Sequence, residues 1–444
     1  MRNFLGAHLC VLFGLLSACG ANQDDGALAQ GGGPGAGGGS PGAGGAAAGG
    51  APAAGGTQAG GTPSTPVTYP RPCADIYEPS IVPVFELQIA PDQLALMETD
   101  CKGEIKQFRP AVFKYGSEVV NAMVRLKGNW SWRCQKKQFL ISFNETDPNG
   151  RFHGLRKIVL DAPWYDPSLL AERLGFSFMQ RYGAQWSCVN NAKLMLNGAY
   201  YGAYANVERL DKEYLQRHFP GTEADGNLYD GGVELKTNET VNDVSRRDAL
   251  MAATNVTAID ALTDLDEVVK VWAGSAMLPD PDSYWAGVEI NYYLYDHPTR
   301  GFLWFPYDMD LMMRQGTTNS ATSTVQLGVL NEFVQANPFT YQNPDWGREA
   351  LYQTVLSDPL WCTRFLEELR LARAAYDVTL MSQQLDTWAA QIADAVAQDP
   401  NKLFTNQNHL DAVANLKAFM PRRLAFIDGW LPTATCPVTR WPRN

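Results

Sequence analysis

The chain has 444 residues and a net charge of −11, and 11% of its residues are aromatic. This acidic balance, without a basic stripe, argues against nucleic acid as a partner. The aromatic and apolar content can form a substantial core, which excludes a chain that is disordered throughout.

Residues 1–19 have the pattern of a lipoprotein signal. Arg2 precedes an apolar run, and the sequence LSAC ends at Cys19, the predicted lipidation site. A plain cleaved secretory peptide and a membrane anchor are the alternatives, although the apolar run 4–18 is shorter than the roughly 20 residues that cross a bilayer. Because Gly20 rather than Asp follows the cysteine, we expect an exported, lipid-anchored protein at the outer membrane or cell surface.

Residues 20–69 consist largely of Gly, Ala, Pro, Ser and Thr. Such a segment cannot bury enough apolar surface to offset its ordering entropy, so it is predicted to be disordered. At the reach of a Gly-rich coil, it would span roughly 35 Å. We interpret it as a tether between a membrane and the body at 70–444; a low-complexity remnant without a role is the alternative.

Six cysteines follow the predicted lipidation site, an even number that predicts disulfides in an exported protein. Cys362 with Cys436 is the favoured bridge, because both flank the C-terminal helical region. Cys73 with Cys101 and Cys134 with Cys188 are weaker hypotheses. A zinc site is disfavoured because no CxxC spacing occurs.

The first half of the body has the alternating apolar pattern of strands. Turn residues between these patterns favour an antiparallel sheet, against which an amphipathic helix at 167–182 would pack. A hairpin and a short helix at 211–218 follow. The predicted strands lie at 82–89, 111–113, 119–126, 138–143, 158–161, 192–197 and 200–208.

The second half is predicted to be rich in helices around one short hairpin, at 289–295 and 302–306. Amphipathic helices fill residues 345–430. The predicted fold class is therefore α+β, with an N-terminal antiparallel sheet, a packed helix and a helix-rich C-terminal half. A sheet followed by a helix-rich half, with a site between them, is a kinase-like layout, although layout alone does not fix function.

Basic and acidic residues near the predicted sheet are the first site candidates. A lysine near a strand end can hold phosphate oxygens, and a glutamate can orient it. Solvated surface lysines are the plain alternative. The candidates for this nucleotide-binding role are Lys127, Lys136, Lys137, Glu172 and Glu208.

Two carboxylates directly follow the apolar strand at 302–306. Alternation would place Asp308 and Asp310 on one side, where their repulsion favours a cation such as Mg²⁺. Asn291, at the start of the partner strand, could add an amide oxygen, and Asp282 lies shortly before it. Asp residues that cap a turn are the alternative interpretation.

Five ordered stretches of the chain resemble the spore-coat protein H (CotH) kinase family. Together they cover most of residues 82–313. The stretches are RLKGNWSW (125–132), KKQFLISF (136–143), LNGAYYGAYANVERLD (196–211), NYYLYDHP (291–298) and FLWFPYDMD (302–310).

This resemblance implies an atypical protein-kinase-like bilobal fold, with the core motifs at about 82–313. It also implies a divergent kinase that transfers the γ-phosphoryl group of ATP to Ser or Thr of envelope or spore-coat proteins, with Mg²⁺ or Mn²⁺. The resemblance assigns ATP phosphates to Lys137 or Lys136, with Glu172 or Glu208 orienting that lysine. It assigns metal to Asp308 and Asp310. Asp282 would be a base or a further ligand, which makes Asp282 and Asp308 the predicted catalytic residues.

The apolar residues at 311–313 and the pair at 289–290 differ from the usual family pattern. Two other functions therefore stay open. One is a non-catalytic surface protein for adhesion or coat assembly, and the other is a phosphotransferase with a glycan or polyphosphate acceptor. Besides the acceptor, the expected partner is the membrane, through the lipid anchor. Ser-His-Asp hydrolysis has no support because the body at 70–444 contains no GxSxG motif.

Overall fold

The computed structural model describes residues 72–128, 132–162, 165–288, 290–314, 316–319, 324–342 and 350–436, with backbone alone at 316–319 and 324–326. The predicted signal, its Cys19 and the predicted tether lie outside these residues. No helix in the described ranges is both long enough and apolar enough to cross a membrane.

Seven strands form a closed barrel in the order β1-β2-β3-β4-β5-β7-β6. Neighbouring strands are antiparallel except for β1 and β6, which pair in parallel with Phe85 opposite Leu194. The strands are β1 Val84–Gln88, β2 Arg109–Tyr115, β3 Glu118–Lys127, β4 Gln138–Ser142, β5 Lys157–Asp161, β6 Val189–Leu196 and β7 Ala199–Val207.

The predicted antiparallel sheet is closed into a barrel by one parallel pair, β1 with β6, which the sequence did not predict. The side chain of Asn197, in the tight turn after β6, accepts a hydrogen bond from the Ile89 N–H at 2.7 Å and donates one to the Ile89 carbonyl at 2.9 Å. Asn197 adopts a left-handed conformation with φ of 50°, which Asn tolerates better than most residues. The turn thereby holds the end of β1 against β6 and helps to close the barrel.

The barrel encloses an apolar core. Because side chains alternate along a strand, every second residue of β1 points inward, and Phe85 and Leu87 are fully buried. Helix α1 (Pro91–Gly103) contributes Met97 to the same core. Hydrophobic burial of this kind is the main stabilising contribution to such a domain.

Helix α2 (Ala171–Tyr182) lies between the barrel and the second half of the chain. Its hydrophobic side chains Leu174, Phe178 and Met179 are fully buried, so the predicted amphipathic helix is confirmed from residue 171 onward. Helix α3 (Lys212–His218) follows the barrel and is capped by Asp211, which accepts hydrogen bonds from the N–H groups of residues 213 and 214.

A second sheet, in the order β11-β10-β8-β9, packs against the helices. It contains the predicted hairpin as β10 and β11, and a separate pair, β12 with β13, follows. The strands are β8 Asn227–Asp230, β9 Glu234–Leu235, β10 Tyr292–His297, β11 Gly301–Pro306, β12 Gly316–Asn319 and β13 Thr324–Leu327.

Helices dominate the rest of the second half, which confirms the α+β class. Helix α6 packs on β11 and on α9, and a capping box at Thr405 begins α11. The helices are α4 Ser245–Met251, α5 Val256–Asp260, α6 Leu265–Met277, α7 Asn331–Val334, α8 Ala350–Leu356, α9 Pro359–Ala375, α10 Val378–Gln398 and α11 Asn406–Trp430.

The six cysteines form three disulfides, of which the predicted Cys362–Cys436 bridge is confirmed. The other two predicted pairings are wrong. Closure of the barrel brings the segment before β1 to the start of β6, so Cys73 bonds Cys188, and the end of α1 lies beside the segment before β4, so Cys101 bonds Cys134. Sequence spacing does not report either of these long-range contacts.

Candidate functional site

The side chain of one lysine reaches from β3 across β4 to β5 at one end of the barrel. Lys127 ends β3 opposite Gln138 at the start of β4, and Asp161 ends β5. Lys127 forms an ion pair with Asp161, and its Nζ lies 3.3 Å from Gln138 Oε1. Burial lowers the pKa of Lys127, but the charges of Asp161, Tyr307 and Asp308 outweigh it and raise that pKa. Lys127 therefore stays charged.

Glu172 reaches the same place from the first turn of α2. Asp166 accepts hydrogen bonds from the N–H groups of residues 168 and 171, at 2.9 Å each, and so fixes where the helix begins. One turn later, a Cβ at Gly175 would lie 2.5 Å from Met312 Sδ, so α2 packs closely on the segment after β11. Burial, followed by the charges of Asp308 and Asp161, raises the pKa of Glu172 well above 4.5.

Asp308 and Asp310 lie in the turn that follows β11. The turn corrects the predicted alternation, because Asp308 adopts a left-handed conformation with φ of 51° rather than continuing the strand. Burial and the charge of Asp161 raise the pKa of Asp308 to about 7. Burial and Asp308 raise the pKa of Asp310 well above 3.8. The charge of Asp308 therefore acts on Asp310, and the turn rather than strand alternation places the two residues.

Asp282 and Asn291 approach the turn from the other side. Asn291 Nδ2 donates to Asp282 Oδ2 at 3.0 Å, and Asn291 itself is left-handed with φ of 60° just before β10. Asp280 accepts a hydrogen bond from the Asp282 N–H at 2.8 Å. Burial, then Asp282, raises the pKa of Asp280 well above 3.8, while burial raises that of Asp282 and Asn291 partly opposes it.

These side chains form one group, here called the acidic cluster. Its carboxyls act on one another's pKa values, and the cations beside it are Lys127 and Arg314. Among the described residues, no three His, Cys, Asp or Glu side chains already converge as a ligand set for a metal ion. The acidic cluster consists of Asp161, Glu172, Asp280, Asp282, Asp308 and Asp310.

Residues 124–427 match the family model described as CotH kinase protein. The chain belongs to this CotH family. It is also similar to the inner spore coat protein H of Bacillus subtilis (strain 168), with 24% identity over 258 residues, which covers 52% of this chain and 69% of the relative. The resemblance inferred from the five sequence stretches is thus confirmed.

Three residues predicted for the CotH site lie elsewhere. Lys136 pairs with Asp399 at 2.6 Å, and Lys137 pairs with Glu98 at 2.8 Å. Glu208 accepts hydrogen bonds from Arg217 Nε at 2.8 Å and from Arg217 Nη2 at 2.5 Å. Their side chains are thus engaged in ion pairs outside the acidic cluster, and Lys127 is the candidate lysine that the fold brings to it.

Two members of the CotH acidic cluster were missed in the sequence. Asp161 ends a strand, as Lys127 does, so a search for polar residues at strand ends would have found it. Asp280 lies two residues before Asp282 in the sequence PDPD, where it resembles an ordinary turn residue. The structure brings both together with Lys127, Glu172 and the pair at 308 and 310.

Proposed function

We propose that this CotH-family chain is an atypical kinase that transfers the γ-phosphoryl group of ATP to a Ser or Thr hydroxyl of an envelope or coat protein. The supporting observation is Lys127, a largely buried charged lysine held at the edge of the acidic cluster, in which burial and neighbouring carboxylates raise the pKa values of Asp308 and Asp310. Phosphoryl transfer needs a cation for the phosphates and oxygen ligands for divalent metal, and this site has both. The barrel with α2 and the helix-rich half would be the two lobes.

Lys127 would bind the ATP phosphates. Its ion pair with Asp161 fixes the amine across β4, and its charge partly opposes the rise that burial, Asp308 and Asp161 cause in the pKa of Glu172. We assign this role to Lys127 and not to Lys136 or Lys137, because neither of those lysines lies in the acidic cluster. Asp161 and Glu172 would act as positioning residues for the lysine.

The donor chemistry of the acidic cluster fits Mg²⁺ or Mn²⁺. Carboxylate and amide oxygens are the ligands that these ions prefer, and Mg²⁺ usually keeps several waters besides one or two carboxylates and substrate phosphates. Asp308, Asp310 and Asn291 would hold the ion. It would neutralise phosphate charge and favour the ionised form of Asp308 and Asp310.

Asp282 would receive the proton of the acceptor hydroxyl. The hydroxyl oxygen forms a bond to the γ-phosphorus, the bond from that phosphorus to the bridging β–γ oxygen breaks, and ADP leaves with the electron pair. The released proton passes to the Asp282 carboxylate, which Asn291 orients by its 3.0 Å hydrogen bond. Atoms and charge balance without any further reactant.

We place the enzyme outside the cytoplasm, anchored by lipid on Cys19. Three disulfides are typical of an oxidising compartment, and the similarity to a spore coat protein of Bacillus subtilis supports a surface or coat location. The acceptor would then be a neighbouring envelope or coat protein within reach of the tether.

The test is phosphate transfer from labelled ATP by the full chain, with Mg²⁺ or Mn²⁺ and a generic Ser/Thr protein acceptor. Asp308→Asn removes one charge and keeps the left-handed conformation that Asn tolerates, so we expect labelling to fall at least about 100-fold. Asp428→Asn, in an exposed ion pair with Arg373 between α9 and α11, is the control that should keep activity.

Absence of both labelling and ATP binding would contradict the proposal and favour a non-catalytic role in adhesion or coat assembly. Labelling of glycan or polyphosphate but not protein would retain phosphotransfer and replace the acceptor. Equal loss in Asp308→Asn and Asp428→Asn would show that the effect does not come from the acidic cluster.

A further inference from the structure

A small cavity lies behind the acidic cluster, with a volume of about 20 Å³. Six aromatic side chains line it, and we call it the aromatic chamber. Asp280 and Asn291 of the candidate site also contribute to its wall. The aromatic residues are Trp272, Tyr284, Trp285, Tyr292, Trp304 and Tyr307.

Three indole N–H groups around this chamber are buried without an acceptor among the described residues. They belong to Trp272, Trp285 and Trp304, which are 2%, 1% and 2% exposed. Indole Nε1 is a donor only, so it can be satisfied only by an acceptor atom such as an oxygen. A buried donor left unsatisfied costs about 1–3 kcal/mol, so three in the wall of one cavity call for an acceptor inside it.

The chamber is too polar to remain empty. Ser275 and Ser283 line it together with Asp280, and Ser283 Oγ already donates to the Asp280 carbonyl at 2.8 Å. Cavities that stay dry are lined by apolar groups, whereas a buried water needs two to four polar partners. A single water needs a cavity volume of roughly 10–15 Å³. The chamber, at about 20 Å³, is large enough.

We propose that the aromatic chamber is a binding site for an ordered water molecule. The water oxygen accepts hydrogen bonds from two of the three indole N–H groups, and its own hydrogens are donated to oxygens of the wall. Asp280 is the acceptor that connects this water to the acidic cluster. The indoles thus hold a water molecule beside Asp280, and the inference stands independently of phosphoryl transfer.

The test detects the water in solution, on the full chain with ¹⁵N-labelled tryptophan. Magnetisation transfer between water and each indole proton is measured, and single Trp→Phe variants assign the three signals. A long-lived bound water gives cross-peaks of the sign characteristic of slow tumbling. We expect them at two or three of the indoles of Trp272, Trp285 and Trp304.

The matched control is Trp388→Phe in α10, whose ring packs on the Arg173 guanidinium at 4.3 Å and does not line the chamber. This variant should leave the three cross-peaks unchanged. Cross-peaks at none or only one of the three indoles would overturn the proposal. So would a crystal structure of the full chain in which the indole nitrogens bond to protein oxygens and the chamber holds no density. The wild-type measurement decides even if a variant fails to fold.

Discussion

At the scale of single residues, Asp308 shows how the fold uses a carboxyl that the sequence identifies only by its position. It lies in a left-handed turn, a conformation that Asp and Asn adopt more readily than branched residues. Burial and neighbouring carboxyls, of which Asp161 acts most strongly, then raise its pKa to about 7. A carboxyl with a pKa near 7 loses its proton readily when a cation approaches.

Asp308 should make the protein less stable as pH rises when divalent cations are removed. The unfolded carboxyl loses its proton near 3.8, whereas the folded one keeps it to about 7, so the folded state binds more protons between these values. Stability therefore falls from about pH 4 to pH 7. Asp308→Asn should lack this loss.

The measurement is urea unfolding of the wild type and Asp308→Asn at several pH values with a chelator. Each pKa unit corresponds to about 1.4 kcal/mol, so we expect the variant to be roughly 2 kcal/mol more stable near pH 8 after solvent screening, and equal near pH 4. Asp428→Asn should give no such gain, since its Arg373 hydrogen bond lowers the pKa of Asp428. A variant less stable than wild type at pH 8 would contradict the assigned repulsion.

At the scale of elements, a buried ion pair joins the barrel to the C-terminal helices. Lys136, just before β4, meets Asp399 at the end of α10, and Asp399 also accepts a hydrogen bond from the Ala203 N–H in β7 at 2.9 Å. Gly202 makes room for the pair, because a Cβ there would lie 1.9 Å from Lys136 Nζ. Burial lowers the pKa of Lys136 to about 8.

Breaking this ion pair should weaken the packing of α10 on the barrel and lower the free energy of unfolding. Asp399→Asn leaves the Lys136 amine buried without its counter-charge, so we expect a loss of about 3 kcal/mol in the free energy of unfolding. Replacing both residues, Lys136→Met with Asp399→Leu, should recover most of it because no buried charge remains. Urea unfolding measures all three chains.

The exposed pair of Lys417 and Asp386 provides the control. Asp386→Asn should change the free energy of unfolding by less than about 1 kcal/mol, since surface ion pairs contribute little. If Asp399→Asn were equally mild, the pair would not stabilise the contact between α10 and the barrel.

At the scale of the whole molecule, the three disulfides close loops of different length. Cys362–Cys436 spans 74 residues around the C-terminal helices, whereas Cys101–Cys134 spans 33. A cross-link stabilises mainly by restricting the unfolded chain, and this effect grows slowly with loop length. The Cys362–Cys436 bridge should therefore contribute more stability than the Cys101–Cys134 bridge.

Removing each bridge by a double Cys→Ala substitution tests this order. Chain entropy predicts a loss of about 4 kcal/mol for Cys362 and Cys436, and roughly 0.7 kcal/mol less for Cys101 and Cys134. Denaturant unfolding of the two double variants gives the comparison, and free energies in the reverse order would contradict the chain-entropy explanation for this protein.

The sequence by itself determined the local elements and the chemical character of the site. Alternation and helical periodicity are local, so β3, β4 and α2 were found, and the strand before Asp308 showed where carboxyls gather. Ordered motifs sufficed to identify the CotH family. The C-terminal disulfide was also predictable, because its two cysteines are far from the other four in the chain.

Only the tertiary structure decided which side chains meet. Barrel closure depends on β1 pairing with β6, a contact between residues about a hundred positions apart, and this closure set the pairing of Cys73 with Cys188. The pairing of β4 with β3 and with β5 brought Lys127 to Asp161, whereas Lys136 pairs with Asp399. Local periodicity reports the face on which a residue lies, but distances between faces depend on how the chain folds back on itself.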